Sequence, residues 1–199
     1  LKGFNMSLIR GLSFFGLCLA FVVIALGAWT RLVDAGLGCP DWPGCYGFVV
    51  FPTTEAEILI AEQRYPQFPY EIDKAIPEVV HRYFAAALGF IAILLVVFSH
   101  KHKLPTRIKA IASFLLFFIC CQGLFGYLTV SLKLLPIIVT GHLFGGFITL
   151  SLFFYLFLNT SDGIKNHQIG HLKMLGGIAL IALLIQIFLG AWTSTNYAS

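Results

Sequence analysis

The stretch Leu134–Leu158, LLPIIVTGHLFGGFITLSLFFYLFL, runs 25 residues without an Asp, Glu, Lys or Arg. A bilayer core takes roughly 17–25 residues of helix. Helix is also the form in which a single segment satisfies its own backbone in lipid. Outward from this stretch lie four more uncharged runs, Gly11–Trp29, Tyr83–Ser99, Ala110–Leu132 and Met174–Ser199. Each reads as a membrane span. Pro77 and Pro136 suit a first helical position, so the second span is expected to start at Pro77 and the fourth at Pro136. Gly11–Trp29 is long for a signal core and lacks a small-x-small cleavage site, so it reads as a retained helix.

Composition agrees. Of 199 residues, 58% are apolar, 20 are Phe and only 11% are charged, against about 25% charged in soluble domains. Mean hydropathy is +0.88. A soluble domain, a disordered chain and a secreted disulfide framework are excluded. The net charge of +4 is small and scattered, which argues against nucleic acid as a partner. The expected fold is an all-α integral membrane protein.

Lys and Arg set the orientation. Lys2, Arg10, Lys101, Lys103, Arg107, Lys109, Lys165 and Lys173 fall on one side, which is expected to be cytoplasmic. Arg31, Arg64, Lys74, Arg82 and Lys133 fall on the other, together with most acidic residues. The N-terminus is then inside and the one long loop, residues 31–76, outside. Its prolines forbid long regular structure, Glu55–Tyr65 suits one short surface helix, and Trp42, Tyr46, Phe48, Phe51 and Phe68 argue for order.

The pentapeptide Leu26-Gly27-Ala28-Trp29-Thr30 returns as Leu189-Gly190-Ala191-Trp192-Thr193, 163 residues later. A weaker echo pairs Gln122-x-x-x-Gly126-x-x-Thr129 with Gln186-x-x-x-Gly190-x-x-Thr193. Small residues near helix ends are common in membrane packing. The better reading is a four-helix bundle repeated in tandem about an axis along the membrane normal. Residues 1–160 then form an N-terminal four-helix half, and residues 161–199 hold the first helix of a truncated second half. On this reading the chain is a piece of something longer.

Ionisable side chains inside membrane helices are functional candidates. His81 lies four residues after Pro77 and His142 six after Pro136, or about 6 and 9 Å along their helices. The two are therefore expected at one depth, on helices that can face each other across a bundle. Gly145 and Gly146 follow His142, and Ala85 and Gly89 follow His81, on the same faces. Such stripes leave a flat slot, which a porphyrin with two axial nitrogens would fill. Zinc would want further ligands, and only Glu78 is near. In the bland alternative each His bonds a neighbouring backbone and the glycines serve packing.

Arg31, Lys74, Arg82 and Lys133 at the outer rim suit propionate carboxylates, or simply snorkel. Glu78 shares a face with His81 at the water–lipid boundary, a place that suits proton transfer. Equally, it could pair with Arg82 at i+4. Cys39 and Cys45 admit two readings, a small structural disulfide and a labile redox pair. Cys18, Cys120 and Cys121 read as apolar fillers, and His100, His102, His167 and His171 as residues of solvated loops.

Several stretches resemble the haem A synthase family. They are Leu26–Leu32, Gly36–Gly47 with Gly38-Cys39-Pro40-Asp41-Trp42-Pro43-Gly44-Cys45, Glu78-Val79-Val80-His81-Arg82-Tyr83, Leu132–Pro136 leading into Gly141-His142-Leu143, and Ser194–Ala198. The resemblance implies eight helices in two halves, each half with a His pair for haem. It implies an oxidoreductase of a bacterial inner membrane that converts a methyl group of haem O to the formyl group of haem A, the cofactor of terminal oxidases. Haem O is then substrate and haem b a cofactor. His81 and His142 become the iron ligands, Arg82, Arg31 and Lys133 further haem contacts, Glu78 the glutamate of the chemistry, and Cys39 and Cys45 a disulfide. Implied partners are the lipid bilayer, the farnesyltransferase that makes haem O, an electron donor and a second copy of the chain. The second His pair is not in these 199 residues. Rival readings are a b-type cytochrome electron carrier, a thiol oxidoreductase using Cys39 and Cys45 with a quinone, and a non-enzymatic haem-binding assembly subunit.

Overall fold

The computed structural model describes residues 2–160 and 170–196, excepting the side chains of the first three residues of the first and last helices. Its helices are α1 (Lys2–Leu32), α2 (Glu55–Arg64), α3 (Ile72–Lys101), α4 (Thr106–Ser131), α5 (Pro136–Asn159) and α6 (Gly170–Asn196). All but α2 are long and apolar enough to cross a membrane. The described residues form no strand longer than the single bridge between Cys45 and Phe48. The chain is an all-α integral membrane protein.

Short connections fix the order of the bundle. Leu132–Leu135 joins α4 to α5 with Lys133 and Leu134 both at positive φ, and the Leu134 N–H donates to the Thr129 carbonyl at 2.8 Å. So tight a reversal makes α4 and α5 antiparallel neighbours. Around the ring α1 packs on α3 and α5, and α4 packs on the same two helices. Hence α3 and α5 are diagonal and face each other through the centre. Helix α6 stands outside and packs on α5.

At the end away from the long loop the bundle closes on small residues. Ala20, Ala92 and Ala112 are buried with Leu88, Leu95, Leu115, Phe153 and Leu156. A Cβ on Gly16 would lie 2.1 Å from the Phe153 ring, so glycine is what lets that ring in. Without a hydrophobic force between helices in lipid, such close packing holds them together. Large apolar side chains such as Phe21 and Phe117 project outward.

Pro136 opens α5 as expected. Pro77 does not open α3, which starts five residues earlier at Ile72 and carries Pro77 inside it. A proline there forfeits one helical hydrogen bond. Burial outweighs that loss, because Ala75, Pro77 and Val79 are all buried at the loop end.

The long loop is correspondingly shorter, residues 33–71, and is a folded cap. Cys39, Cys45, Tyr46, Ala61, Ala75 and Val79 form its core, with Phe48, Phe51, Tyr65, Phe68 and Tyr70 packed around them. The expected surface helix is α2. Thr54 caps it by accepting from the Glu57 N–H, while the Glu57 carboxylate accepts from the Thr54 N–H, a reciprocal capping box. Gly38 lies so close to α3 that a Cβ there would be 2.3 Å from the Lys74 carbonyl oxygen. His100 lies in the last turn of α3 and His102 caps it, so neither is a free loop residue. His167, Lys165, Tyr197 and Ala198 lie outside the described residues.

Candidate functional site

His81 on α3 and His142 on α5 meet across the diagonal. Their ring centroids are 6.4 Å apart and their planes nearly perpendicular, at 88°. Although α3 starts early, the two rings are brought to one level. The His81 Nδ1 lies 3.1 Å from the Val23 carbonyl oxygen of α1. A carbonyl only accepts, so Nδ1 carries the proton, and the Nε2 lone pair is free to ligate. On the other side, His142 Nδ1 is buried and, among the described residues, has no hydrogen-bond partner.

A metal atom fits between such rings. At 6.4 Å between centroids the two imidazoles are near enough to ligate one metal atom. Among the described residues no group of three or more His, Cys, Asp and Glu converges, so the two imidazoles are the whole donor set. That set suits an iron that brings four equatorial nitrogens of its own.

The glycines nearest the rings are not those on the histidines' own helices. Gly89 faces Ile119, Gly145 faces Gln122 and Gly146 faces Ile24. The residue against His81 is Gly27 of α1, where a Cβ would lie 3.0 Å from the ring. The residue against His142 is Gly126 of α4, where a Cβ would lie 3.8 Å from it. Both belong to the repeated motifs, which is the signal that would have found them. Each is followed three residues on by a threonine whose hydroxyl donates back to the glycine carbonyl at 2.7 Å, Thr30 to Gly27 and Thr129 to Gly126. In α6 the corresponding Gly190 has nothing within 4 Å among the described residues.

Glu78 is buried one turn above His81, toward the loop. Its Oε2 accepts from the Cys39 N–H at 2.9 Å and its Oε1 from Arg82 Nη2 at 2.5 Å. The side chains of the pair are only 7% and 13% exposed, so this is no solvated i,i+4 bridge. Arg82 Nη1 also donates to the carbonyls of Asp41 and Gly44, at 2.9 and 2.5 Å. Glu78 and Arg82 therefore clamp the Cys39–Cys45 segment onto α3. The two sulfurs are 2.09 Å apart, bonding distance for a disulfide. Asp41 shapes the same segment by accepting from the Tyr46 and Gly47 N–H groups at 2.6 and 2.8 Å.

The other rim cations divide. Arg31 Nη2 donates to the Ser194 carbonyl of α6, and Lys74 pairs with Glu71 at 3.1 Å. Among the described residues the Lys133 ammonium has no partner.

Tyr46 is 2% exposed. Its hydroxyl donates to the Pro69 carbonyl at 3.0 Å. Burial, and next the charge of Glu71, push its phenol up to about 12. Burial raises Tyr65 and Tyr70 as well. The unfolded phenol titrates near 10, so the cap keeps this contribution below about pH 10 and loses it as pH rises through about 12. Protease resistance of the loop is expected to hold at pH 9 and fail in that window. Tyrosinate absorbance from Tyr46 already developed at pH 10 would mean that the cap is not packed around it.

A family model described as cytochrome oxidase assembly protein, COX15-CtaA, matches residues 10–199. A protein of Shewanella oneidensis named Heme A synthase is 41% identical over 186 residues, 92% of this chain and 56% of its own length. One of Mesorhizobium japonicum with the same name is 26% identical over 205 residues, covering 94% and 56%. The chain thus spans about half the length of the curated relatives it matches. No solved structure matches it.

Proposed function

Because the chain belongs to the COX15-CtaA family of cytochrome oxidase assembly proteins, we propose that it is the substrate-holding part of a haem A synthase. Haem O would lie between His81 and His142 and leave as haem A, for use by terminal oxidases. One observation carries this reading: His81, its Nδ1 tied to Val23, presents a free Nε2 on the diagonal that His142 shares, at 6.4 Å between rings.

When bound, the haem supplies the redox chemistry. The chain's residues do the rest. The Val23 carbonyl fixes the His81 tautomer, and Gly27 lets the His81 ring lie close against α1. Glu78, on the His81 face, is the group placed to take the proton that methyl oxidation releases. Arg82 spends donors on Glu78 and the cap carbonyls, which leaves the Lys133 ammonium and the rest of Arg31 for the propionates.

Further parts of the reading are proposals on the same footing. The N-terminus lies in the cytoplasm of a bacterial inner membrane, following the Lys/Arg distribution. The cap is then external, where a Cys39–Cys45 disulfide persists. Residues 1–160 form one four-helix half and 161–199 begin a second, for which haem b is the cofactor. The farnesyltransferase that makes haem O, an electron donor and a second copy of the chain are its partners. The purified chain in lipid nanodiscs, titrated with haem O, is expected to bind one equivalent and give a low-spin bis-imidazole spectrum. A high-spin spectrum, or none, refutes the assignment.

A further inference from the structure

Gln122 has no role in the reading so far, and the bundle gives it none. On α4, Phe125 faces α5, where a Cβ on Gly141 would lie 3.1 Å from its ring. Ile119 faces α3, 3.7 Å from a Cβ on Gly89. At 3.6 residues per turn, Gln122 lies midway between those two directions and points to the bundle axis. Its amide nitrogen sits 1.8 Å from where a Cβ on Gly145 would be, so the amide occupies the space that glycine leaves open on α5.

Four residues on, Gly126 lies beside the His142 ring. The amide is therefore one helical turn, about 5.4 Å, below the level of the histidine pair. Beneath it begins the apolar core of Leu88, Ala92, Leu95, Leu115 and Phe153. Among the described residues the Gln122 amide makes no hydrogen bond. The residue is half-buried, and its amide offers two donors and an acceptor.

This inference rests on the haem reading. A porphyrin is wider than the imidazole that ligates it, so one held by His142 would bring its rim within reach of the Gln122 amide, which lies against Gly145 one turn along α5. We propose that Gln122 donates a hydrogen bond to the oxygen that oxidation installs on the porphyrin rim, and so distinguishes a formyl-bearing haem from its methyl-bearing precursor. A site that bonds an oxygen discriminates strongly against the analogue lacking it.

The test compares haem A and haem O bound to the wild-type chain, Gln122→Leu and Gln122→Met in nanodiscs. Readouts are the bis-imidazole spectrum, the affinity ratio of the two haems and the formyl C=O stretch by resonance Raman. Both variants are expected to keep the bis-imidazole spectrum and lose roughly tenfold in preference for haem A, the worth of one hydrogen bond. The formyl stretch should rise toward that of a free carbonyl. An unchanged stretch and ratio in both variants overturns the proposal. Equal loss of both haems overturns it too, since Gln122 then only packs. A wild-type chain that ligates neither haem through two imidazoles refutes the haem reading itself, and the proposal with it.

Discussion

Alanine in place of either His81 or His142 is expected to abolish the low-spin bis-imidazole spectrum completely, not to weaken it. Low-spin iron of this kind needs both axial nitrogens, and no other His, Cys, Asp or Glu cluster lies among the described residues to substitute. The bundle should survive. Among the described residues, His81 contributes one hydrogen bond to it, to Val23, and His142 Nδ1 contributes none. Circular dichroism and detergent-resistant helicity would verify that. An unchanged spectrum in both single variants would place the haem elsewhere.

The second large effect is at the clamp. Arg82→Ala leaves the Glu78 carboxylate buried without its cation and strips the donor from the carbonyls of Asp41 and Gly44. Removing one member of a buried pair costs about 3–5 kcal/mol. The cap is expected to come off α3 and become protease-sensitive. Glu78→Gln is milder for the fold, since an amide oxygen can still accept from the Cys39 N–H, yet it removes the proposed proton acceptor. It is expected to leave haem bound and stop haem A formation in an enzyme that carries both halves. Haem content, haem A yield and loop cleavage should be read together. Near-normal turnover in this variant would leave Glu78 with the anchoring role alone.

Much of this was legible in the residues. Uncharged runs of bilayer length marked five spans, and the offsets from Pro77 and Pro136 put two histidines at one depth. The repeated pentapeptide contains Gly27 but reads only as a sign of tandem halves. What stayed hidden depended on partners far apart in the chain. Spacing suggests that Gly145 and Gly146 flank a slot, but Gln122 and Ile24 fill those spaces from other helices. It leaves Glu78 open between a solvated pair and a catalytic group, because i,i+4 geometry says nothing of the loop folding over both residues. Pro77 reads as a helix start because local propensity favours it there, and the cap that buries it is a tertiary feature.

The diagonal pairing also orders events in time. The site draws on the Val23 carbonyl and Gly27 from α1, His81 from α3, Gly126 from α4 and His142 from α5. A chain emerging from the ribosome therefore has no second axial ligand until its last contributing helix has been synthesised and has inserted beside the others. On the proposed reading, haem capture waits for α5 to insert, and until haem binds the four-helix ring holds together through the alanine and glycine contacts at its far end.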